Sequence, residues 1–444
     1  MDTPICDFVR DYISSGMHRL HMPGHKGAAL LGMEQLDITE IQGADSLYAP
    51  EGIIAQSQKN ASNLFGCRTL YSTEGSSQCI RAMLYLLLQY AKLQKRKPLI
   101  AAGRNAHKAF LTAVAMLDAD VKWLYPGVPD SYLSCNLTPE ELEAYLQNAQ
   151  EKPVAVYLTS PDYLGTVADI RGISKVCHRY GVLLAVDNAH GAYLKFLPES
   201  AHPMDLGADI CCDSAHKTLP VLTGGAYLHL SDEMDKAVGQ QAQNAMMLFG
   251  STSPSYLILQ SLDEANVYLE RYPARLQKLL PRLEAFKARL RKQGYTLYGS
   301  EALKLTIQAK PYGYTGNQLA ECLRQQKIEP EFTDPDYVVL MLSAESSEEL
   351  LTQLEQALYQ IPPKLPVKEV SPAFAPGKQV MTIREAVLAC SEFLPAQQCR
   401  GRILAVPTVG CPPAVPILVC GEKIDDHAIK CFAYYGITEC CVVK

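Results

Sequence analysis

The sequence has no uninterrupted apolar stretch of about 18 residues, the length that a membrane-spanning helix requires. Its N-terminus also lacks an apolar leader, so we expect neither membrane insertion nor export. No run of lysine and arginine stands out and the net charge is −6, which argues against a nucleic-acid partner. We therefore expect a cytoplasmic protein that acts on a small molecule.

The cysteines do not follow the pattern of a disulfide framework or of a zinc site. Their number is odd, 15, and with no export signal we expect reduced thiols. The adjacent pairs Cys211-Cys212 and Cys440-Cys441 do not have the spacing of zinc ligands, so we predict no metal site. With 444 residues and 48% hydrophobic residues, the chain has the size and composition of a globular protein of two or three domains.

A lysine just after an apolar run is the first candidate catalytic residue. Residues 209–212 suit a buried strand, and the polar loop after them carries Ser214, His216 and Lys217. Partial burial lowers the pKa of a lysine amine, and a neutral amine can attack an aldehyde. A lysine in this position could equally be an ordinary surface charge, so this segment needs support from elsewhere in the chain.

A second apolar run delivers an acidic residue to the end of a strand. Residues 182–186 end at Asp187, and in open α/β sheets ligands bind at the carboxyl ends of the strands. A buried carboxylate needs a cationic partner, which the protonated ring nitrogen of pyridoxal phosphate would supply. The alternative role of Asp187 is a helix N-cap. His190, in the same loop, is predicted to orient the ring or Asp187.

A third segment has the composition of a phosphate-binding turn. Gly75, Ser76 and Ser77 lie between a short strand and an apolar helix, where backbone N–H groups and hydroxyls are available to an anion. Ser214 could contribute a further hydroxyl. The alternative is that these small residues simply cap the helix. Taken together, the turn, the strand-end aspartate and the lysine segment predict a site for pyridoxal 5′-phosphate.

The chain resembles the Orn/Lys/Arg decarboxylase family, pyridoxal-phosphate enzymes built on the aspartate-aminotransferase fold. The most specific matches are His-Met-Pro-Gly-His-Lys-Gly at 21–27 and Ser-Ala-His-Lys at 214–217. Further matching segments are 37–40, 50–54, 104–108, 160–165, 186–192 and 251–256. The resemblance is dense over about the first 260 residues and weaker afterwards.

The resemblance implies a lyase that removes the carboxylate of a basic amino acid as CO2 and leaves a polyamine-type amine. Arginine is the first expected substrate, followed by lysine or ornithine. Lys217 is expected to attach the cofactor, Asp187 to contact its ring nitrogen and His107 to stack on the ring. His216 is a candidate acid or phosphate ligand.

The same resemblance implies an assembly of several copies of the chain. Residues 1–50 are expected to form an arm that contributes to a dimer. Thr252 and Ser253 are expected to reach the phosphate bound by the neighbouring subunit. We therefore expect a homodimer, or a larger homo-oligomer, with composite active sites.

The alternation of apolar runs predicts the fold class. Between residues 51 and 265 strands alternate with helices, which predicts a doubly wound, mostly parallel α/β sheet. The resemblance implies that this is a large domain like those of PLP-dependent transferases of fold type I. The apolar runs predict its seven strands at 69–71, 99–102, 121–125, 154–159, 182–187, 209–212 and 226–230. The predicted domains are the arm (1–50), the cofactor-binding domain (51–270), a connector helix with a small α+β domain (271–365) and a C-terminal tail (366–444).

Three acidic residues are candidates for binding the distal cation of the substrate: Glu331, Asp334 and Glu422. Surface turns often carry acids, so a structural role is the alternative. The chain departs from the resembled family at Ala414, where glycine is usual within the Pro-Pro-x-x-Pro loop at 412–416. It also departs at Asn188, where an acid is common, and at Tyr193, where histidine is common.

Two other functions remain open from the sequence. An aminotransferase or another PLP lyase could use the same fold, and no arginine that would clamp the substrate carboxylate can be identified. A binding module without catalysis is the second alternative. The presence of Lys217 argues against it, because such a module does not need the lysine.

Overall fold

The computed structural model describes residues 1–127, 131–407 and 413–444. Contacts group them into two compact units. Unit 1 comprises Met1–Leu99, Glu151–Leu158 and Ile170–Leu276, and unit 2 comprises Ile100–Gln150, Thr159–Asp169 and Gln277–Lys444. The division into four segments predicted from the sequence stays a prediction.

Seven strands form the main sheet. They are β1 (Arg68–Ser72), β2 (Leu99–Gly103), β3 (Asp120–Leu124), β4 (Ala155–Thr159), β5 (Leu183–Asp187), β6 (Ile210–Asp213) and β7 (Ala226–Leu230). Their order is β1-β7-β6-β5-β4-β2-β3, with β5 parallel to β6 and β7 antiparallel to both of its neighbours. The predicted mostly parallel α/β fold is confirmed, and each predicted strand is found within two residues of its expected bounds.

Fourteen α-helices occur in the described residues. They are α1 (Pro4–Ser14), α2 (Ile53–Phe65), α3 (Gly75–Leu93), α4 (Lys108–Leu117), α5 (Pro139–Asn148), α6 (Ile170–Arg179), α7 (Ala215–Thr218), α8 (Asp232–Val238), α9 (Ala242–Leu248), α10 (Tyr256–Lys292), α11 (Gly316–Gln325), α12 (Glu348–Gln360), α13 (Ile383–Leu388) and α14 (Asp426–Tyr434). None of the helices in the described part of the chain is both long enough and apolar enough to cross a membrane.

The predicted small α+β domain is present within unit 2. Its four-stranded sheet has the order β10-β11-β9-β8, formed by β8 (Thr296–Tyr298), β9 (Lys304–Gln308), β10 (Phe332–Thr333) and β11 (Tyr337–Met341). The apolar pattern of the sequence predicts a strand at 328–332, and this prediction was wrong in extent, because only Phe332 and Thr333 pair with β11. Pro330 has no N–H to donate to a ladder, which favours a late start of the strand.

The C-terminal residues form two small two-stranded sheets. Strand β12 (Lys378–Gln379) pairs with β14 (Glu422–Lys423), and β13 (Ser391–Pro395) pairs with β15 (Glu439–Val443). The sequence predicts one helix in the tail, at 383–393, and this prediction was wrong in its second half. It ends at Leu388, because the following residues pair with the apolar β15, whose Cys440, Cys441 and Val442 are buried.

Candidate active site

Three segments of unit 1 carry the candidate cofactor residues. Asp187 ends β5, and the loop and short helix α7 that hold Ser214, His216 and Lys217 follow β6. Strands β5 and β6 are parallel and place Asp187 opposite Cys212. The fold therefore brings two of the predicted segments to the same edge of the sheet, where open α/β sheets bind ligands.

The predicted phosphate turn contacts the segment that follows β6. Ser214 Oγ donates a hydrogen bond of 2.8 Å to Ser76 Oγ, and the Gly75 N–H donates to the Gly224 carbonyl at 2.7 Å. Gly75 has φ +71°, and no atom lies within 4 Å of the place where its Cβ would be. This open space adjoins the first turn of α3, whose N–H groups have no intrahelical acceptor. The donors fit a phosphate group.

The alternative that these serines merely cap α3 is not what the structure shows. The N-cap residue is Glu74, and its side chain makes no capping hydrogen bond. Ser77 is half-buried in the first turn. The serine hydroxyls and the helix N-terminus thus remain suited to an anion, as a phosphate site requires.

Asp187 is buried, with 2% of its surface exposed. Its Oδ2 accepts a hydrogen bond of 3.2 Å from the Tyr157 hydroxyl, and its Oδ1 accepts one of 3.2 Å from the Ala189 N–H. Burial raises the pKa of Asp187, and Lys217 is the cation that partly offsets this effect. A carboxylate with neutral hydrogen-bond donors and such burial is stabilised by a cation, so a protonated ring nitrogen fits this position.

Lys217 and His190 contact each other. Lys217 Nζ lies 3.0 Å from His190 Nε2, and His190 is 4% exposed whereas Lys217 is half-buried. A lysine ammonium can only donate, so His190 Nε2 is the acceptor whenever Lys217 is charged. The imidazole can thus hold the proton that Lys217 must give up to act as a neutral amine. The predicted contact of His190 with the ring or with Asp187 stays a prediction.

His216 is held by the loop that follows α7. Its Nδ1 lies 3.0 Å from the Gly225 carbonyl, and its backbone N–H donates to the same oxygen at 3.2 Å. Because a carbonyl only accepts, Nδ1 carries the proton. These two bonds fix the orientation of the residue directly before Lys217.

A buried network around Asp213 was missed by sequence reasoning. Asp213 Oδ2 accepts hydrogen bonds from His202 Nε2 at 3.0 Å and from His229 Nε2 at 3.1 Å, and its Oδ1 accepts one from Asn188 Nδ2 at 2.6 Å. All four side chains are completely buried. Burial raises the pKa of Asp213, but the two imidazoles outweigh it and hold the pKa well below its ordinary value.

This network connects the two strand-end loops of the site. Asp213 directly precedes Ser214, and Asn188 directly follows Asp187. The signal in the sequence was an aspartate at the end of the buried run 209–212, but its histidine partners are separated by 11 and 16 residues and cannot be paired from spacing. His202, Cys211 and Asp213 also bring possible metal ligands within 4.8 Å. His202 and Asp213 already form a hydrogen bond with each other. The predicted absence of a metal site stays a prediction.

The other predicted cofactor residues lie in different surroundings. His107, in unit 2, is the N-cap of α4, and its Nδ1 accepts the Ala109 N–H at 3.0 Å. This is the helix-cap role that a lone histidine there would have. Thr252 and Ser253 are exposed, as residues that contact another subunit would be in a single chain. Ring stacking by His107 and the reach of Thr252 and Ser253 stay predictions.

Two of the three candidate substrate acids, all of which lie in unit 2, already have partners. Glu422 is 1% exposed and pairs with Arg104, whose Nη2 lies 3.3 Å from Glu422 Oε2. Glu331 is exposed, and its Oε1 accepts the Tyr163 hydroxyl at 2.8 Å. Asp334 is buried, and its Oδ2 has no hydrogen-bond partner among the described residues. Asp334 is therefore the strongest of the three candidates.

Ala414 stands in a backbone conformation that favours glycine. Its φ is +55°, which agrees with the glycine expected at this position from the resemblance. Its carbonyl accepts the Lys108 N–H at 2.8 Å, and Arg104 donates to the carbonyls of Pro416 and Ile417 at 3.0 Å each. Pro412 of the same predicted loop lies outside the described residues.

Comparison with known proteins shows which family and which solved structures the chain is similar to. A family model described as "Orn/Lys/Arg decarboxylase, major domain" matches residues 3–309. An arginine decarboxylase of Bacillus subtilis is 29% identical over 97% of this chain and 92% of its own length. An arginine decarboxylase of Halalkalibacterium halodurans is 29% identical over 96% of this chain and 91% of its own. The solved lysine decarboxylase of Francisella novicida superposes with a TM-score of 0.79 at 17% identity, covering 100% of this chain and 81% of that one.

These comparisons confirm the resemblance found in the sequence and the predicted cofactor, pyridoxal 5′-phosphate. The solved structure shows the fold alone at this identity. The prediction that the chain is an enzyme, a PLP-dependent decarboxylase, is also confirmed. The roles of the individual site residues remain to be tested.

Proposed function

The chain belongs to the Orn/Lys/Arg decarboxylase family, and from this we propose that it removes the α-carboxylate of a basic amino acid, with arginine as the preferred substrate. The observation that carries the proposal is the juxtaposition of buried Asp187, the Ser76–Ser214 pair and the Lys217–His190 pair in one unit. Arginine ranks first because two of the relatives that align with nearly the whole chain are arginine decarboxylases.

When bound, pyridoxal phosphate supplies an aldehyde for the substrate amine and a ring that accepts the electron pair left by departing CO2. Lys217 would attach the cofactor, and His190 would take the proton from the Lys217 ammonium across their 3.0 Å contact. Ser76, Ser77, Ser214 and the first N–H groups of α3 would hold the phosphate. Asp187, with Tyr157 donating to it, would hold the proton at the ring nitrogen.

Neighbouring residues would hold the loops that carry these cofactor contacts in position. His216 would fix the loop at Gly225 through its Nδ1–H, and Asp213 would hold the loop after Asp187 by accepting a hydrogen bond from the Asn188 side chain. His107 as a stacking residue and Thr252 and Ser253 as ligands from a second subunit are part of this proposal. We further propose a homodimer, or a larger homo-oligomer, located in the cytoplasm, with a role in making polyamine-type amines.

The experiment that tests the proposal is a panel of amino acids with separate detection of CO2 and amine. Arginine should give the highest kcat/KM, followed by lysine or ornithine, whereas norleucine, which lacks the distal cation, should be at least tenfold poorer. A distal charge-assisted hydrogen bond contributes about 1.5–3 kcal/mol, which corresponds to about ten- to a hundredfold.

Lys217→Ala in the same panel is the control for chemistry at this site. It should release no CO2 and should lose the covalent attachment of cofactor that borohydride reduction fixes in the wild-type chain. Amino-group transfer to a keto acid without CO2 release would favour the aminotransferase alternative. A preference for an acidic or aromatic amino acid would contradict the proposed substrate class.

A further inference from the structure

A cavity in unit 2 combines aromatic rings with a buried carboxylate. Its volume is about 320 Å³, and its lining includes Tyr132, Phe332, Asp334, Tyr434 and Tyr435, which we name the Tyr/Asp pocket. Binding cavities for small molecules have volumes of roughly 300–1,000 Å³, so this one is suited to a small ligand. The surrounding segments are the turn between β10 and β11, the C-terminal end of α14 and the segment around Tyr132.

Asp334 is the polar centre of the Tyr/Asp pocket. It is 7% exposed, and its Oδ1 accepts the backbone N–H groups of Asp336 at 2.8 Å and of Tyr337 at 2.7 Å. Its Oδ2 has no hydrogen-bond partner in the described part of the chain. Burial raises the pKa of Asp334 to about 7. A buried carboxylate oxygen without a donor is costly, which indicates that a ligand supplies the donor.

The nearby lysine is committed to another acid. Lys310 Nζ lies 2.8 Å from Asp336 Oδ1, and it also donates to the Glu369 carbonyl at 2.8 Å and to the Tyr434 hydroxyl. The Tyr434 hydroxyl in turn donates to Asp336 Oδ1 at 2.7 Å. One lysine thus faces two aspartates, and its short contact is with Asp336. The pocket keeps an excess of one negative charge, at Asp334, when both acids are ionised.

The aromatic residues favour a cation as well. The rings of Tyr132 and Tyr435 meet edge to face with centroids 4.8 Å apart, and those of Tyr434 and Tyr435 do so at 4.9 Å. The ring of Tyr434 already has the Lys310 ammonium 4.8 Å from its centroid. Aromatic faces attract cations, and a planar guanidinium can both stack on a ring and donate to a carboxylate.

We propose that the Tyr/Asp pocket binds the guanidinium or primary ammonium group of a small organic cation, which donates to Asp334 Oδ2 while the tyrosine rings pack on its apolar stem. The choice of ligand rests on the proposed function, because the proposed reaction has such cations as substrate and as product. The pocket itself is defined by Asp334 and the rings and does not depend on chemistry at Lys217.

A pair of matched probes tests the pocket on the wild-type holoenzyme by calorimetry. Butylguanidine carries the cation and has no primary amine that could react with a cofactor aldehyde. Butylurea has nearly the same shape without the charge. We expect butylguanidine to bind at least tenfold more tightly than butylurea. Equal binding of the two probes, or no binding of butylguanidine, would overturn the proposal.

Variants locate the binding. Asp334→Asn preserves shape and removes the charge, and it should weaken butylguanidine about ten- to a hundredfold, the size expected for losing a hydrogen bond to a charged group. Glu329→Gln is the matched control, because Glu329 is an exposed acid of the same segment that pairs with Arg324 and does not line the pocket. It should leave affinity unchanged. Unchanged affinity in Asp334→Asn would place the probe elsewhere.

A pH series gives a test that requires no variant. Below a pKa of about 7 the Asp334 carboxyl is neutral, so affinity for butylguanidine should rise as the pH increases through 7. The other titratable groups facing Asp334 are Asp336, Lys310 and the hydroxyls of Tyr132, Tyr434 and Tyr435. Burial raises the pKa of all three tyrosines, so they stay protonated across this range. Affinity independent of pH between 5.5 and 8.5 would contradict the role of Asp334.

Steady-state kinetics assigns the natural source of the cation. If the substrate's own distal end occupies the pocket, butylguanidine competes with arginine and Asp334→Asn raises KM at least tenfold. If a separate amine occupies it, inhibition is not competitive and KM is unchanged. Both patterns support cation binding at Asp334. Normal decarboxylation without binding of butylguanidine would contradict this inference and leave the proposed function intact. Binding of butylguanidine without any decarboxylation would contradict the proposed function and leave this inference intact.

Discussion

At the scale of single residues, the site depends on pairs of charges buried together. Asp187 is buried with neutral donors and is suited to a ring cation, whereas Asp213 has two imidazoles and stays ionised without any cofactor. Burial disfavours a charged imidazole, yet Asp213 outweighs this and raises the pKa of His229. The two aspartates lie at the ends of adjacent parallel strands, so the protein can supply a cation for one and leave the other to its cofactor.

The first prediction at this scale concerns Asp213. Asp213→Asn places an amide where Asn188 and two imidazole N–H groups all donate, so at least one buried donor loses its acceptor. Breaking a buried charged network of this kind costs on the order of 3 kcal/mol. We expect a loss of that size in the free energy of unfolding, together with at least tenfold weaker cofactor binding, measured by denaturant unfolding and by cofactor titration.

Asp205→Asn is the control for Asp213. Asp205 is an exposed acid of the same unit, 2.6 Å from Lys195, and its replacement should leave both quantities nearly unchanged. An Asp213→Asn protein that binds cofactor as the wild type does would remove Asp213 from the positioning role.

At the scale of elements, helix α10 anchors the N-terminal helix α1. Asp263, fully buried in α10, accepts the backbone N–H groups of Ile5 at 2.9 Å and Cys6 at 3.1 Å through Oδ2. Its Oδ1 accepts the Ser57 hydroxyl at 2.5 Å. The residue before α1, Thr3, makes no side-chain cap of its own. A distant helix thus supplies the N-terminal cap that α1 lacks.

We predict that Asp263→Ala loosens α1. It leaves two buried N–H groups without an acceptor, which should lower the free energy of unfolding by about 1–3 kcal/mol. In this variant, the rate of hydrogen exchange at Ile5 and Cys6 should increase more than the rate at Leu86 of α3. Glu264→Ala is the matched control, because Glu264 is the next residue and makes only an exposed ion pair with Arg10. Unchanged exchange at Ile5 in Asp263→Ala would rule out the anchoring.

The elements also show how far sequence reasoning extends. All seven strands of the main sheet were predictable. Six of them are short, mainly buried runs, and in β3 exposed residues alternate with less exposed ones. The helix at 383–393 was half wrong, because β13 owes its conformation to pairing with β15. Ser391 pairs with Val443 and Pro395 with Glu439, which lie 52 and 44 residues further along the chain. The strand β8 was not predicted, since its three residues are only half-buried and carry a weak apolar signal.

The candidate site likewise consists of residues that the sequence could predict and of partners that it could not. Lys217, Asp187 and the serine turn could be predicted, because each lies next to a strand or a helix start and carries a chemical requirement of its own. The partners that tune them could not. These partners reach the site from other strands and loops, and they are Tyr157, His202 and His229. Outside the site, the contact between Asp263 and Ile5 likewise joins residues that are 258 positions apart in the chain. Such contacts depend on tertiary packing, which spacing along the sequence does not encode.

At the scale of the whole molecule, residues 1–50, the predicted arm, expose several large apolar side chains. Leu20 is 94% exposed, Leu30 is 81% exposed and Leu31 is 85% exposed. Large exposed apolar surfaces on folded proteins mark interaction sites. Thr252 and Ser253, which the family resemblance assigns to a neighbouring subunit's phosphate, are exposed as well. Both features support the proposed homodimer with composite sites.

The last prediction tests that assembly through its active sites. Lys217→Ala removes the amine, and the double variant Thr252→Ala/Ser253→Ala removes the phosphate contacts that a subunit lends to its partner, so each variant alone should be almost inactive. In a mixed dimer, the site that keeps Lys217 receives Thr252 and Ser253 from the Lys217→Ala chain and is complete. Random mixing of equal amounts makes half of the dimers mixed with one complete site each, so roughly a quarter of wild-type activity should return. The activity of each variant incubated alone is the control. If each chain supplies its own Thr252 and Ser253, no site in the mixture is complete, and the absence of recovery after verified subunit exchange would contradict the composite site.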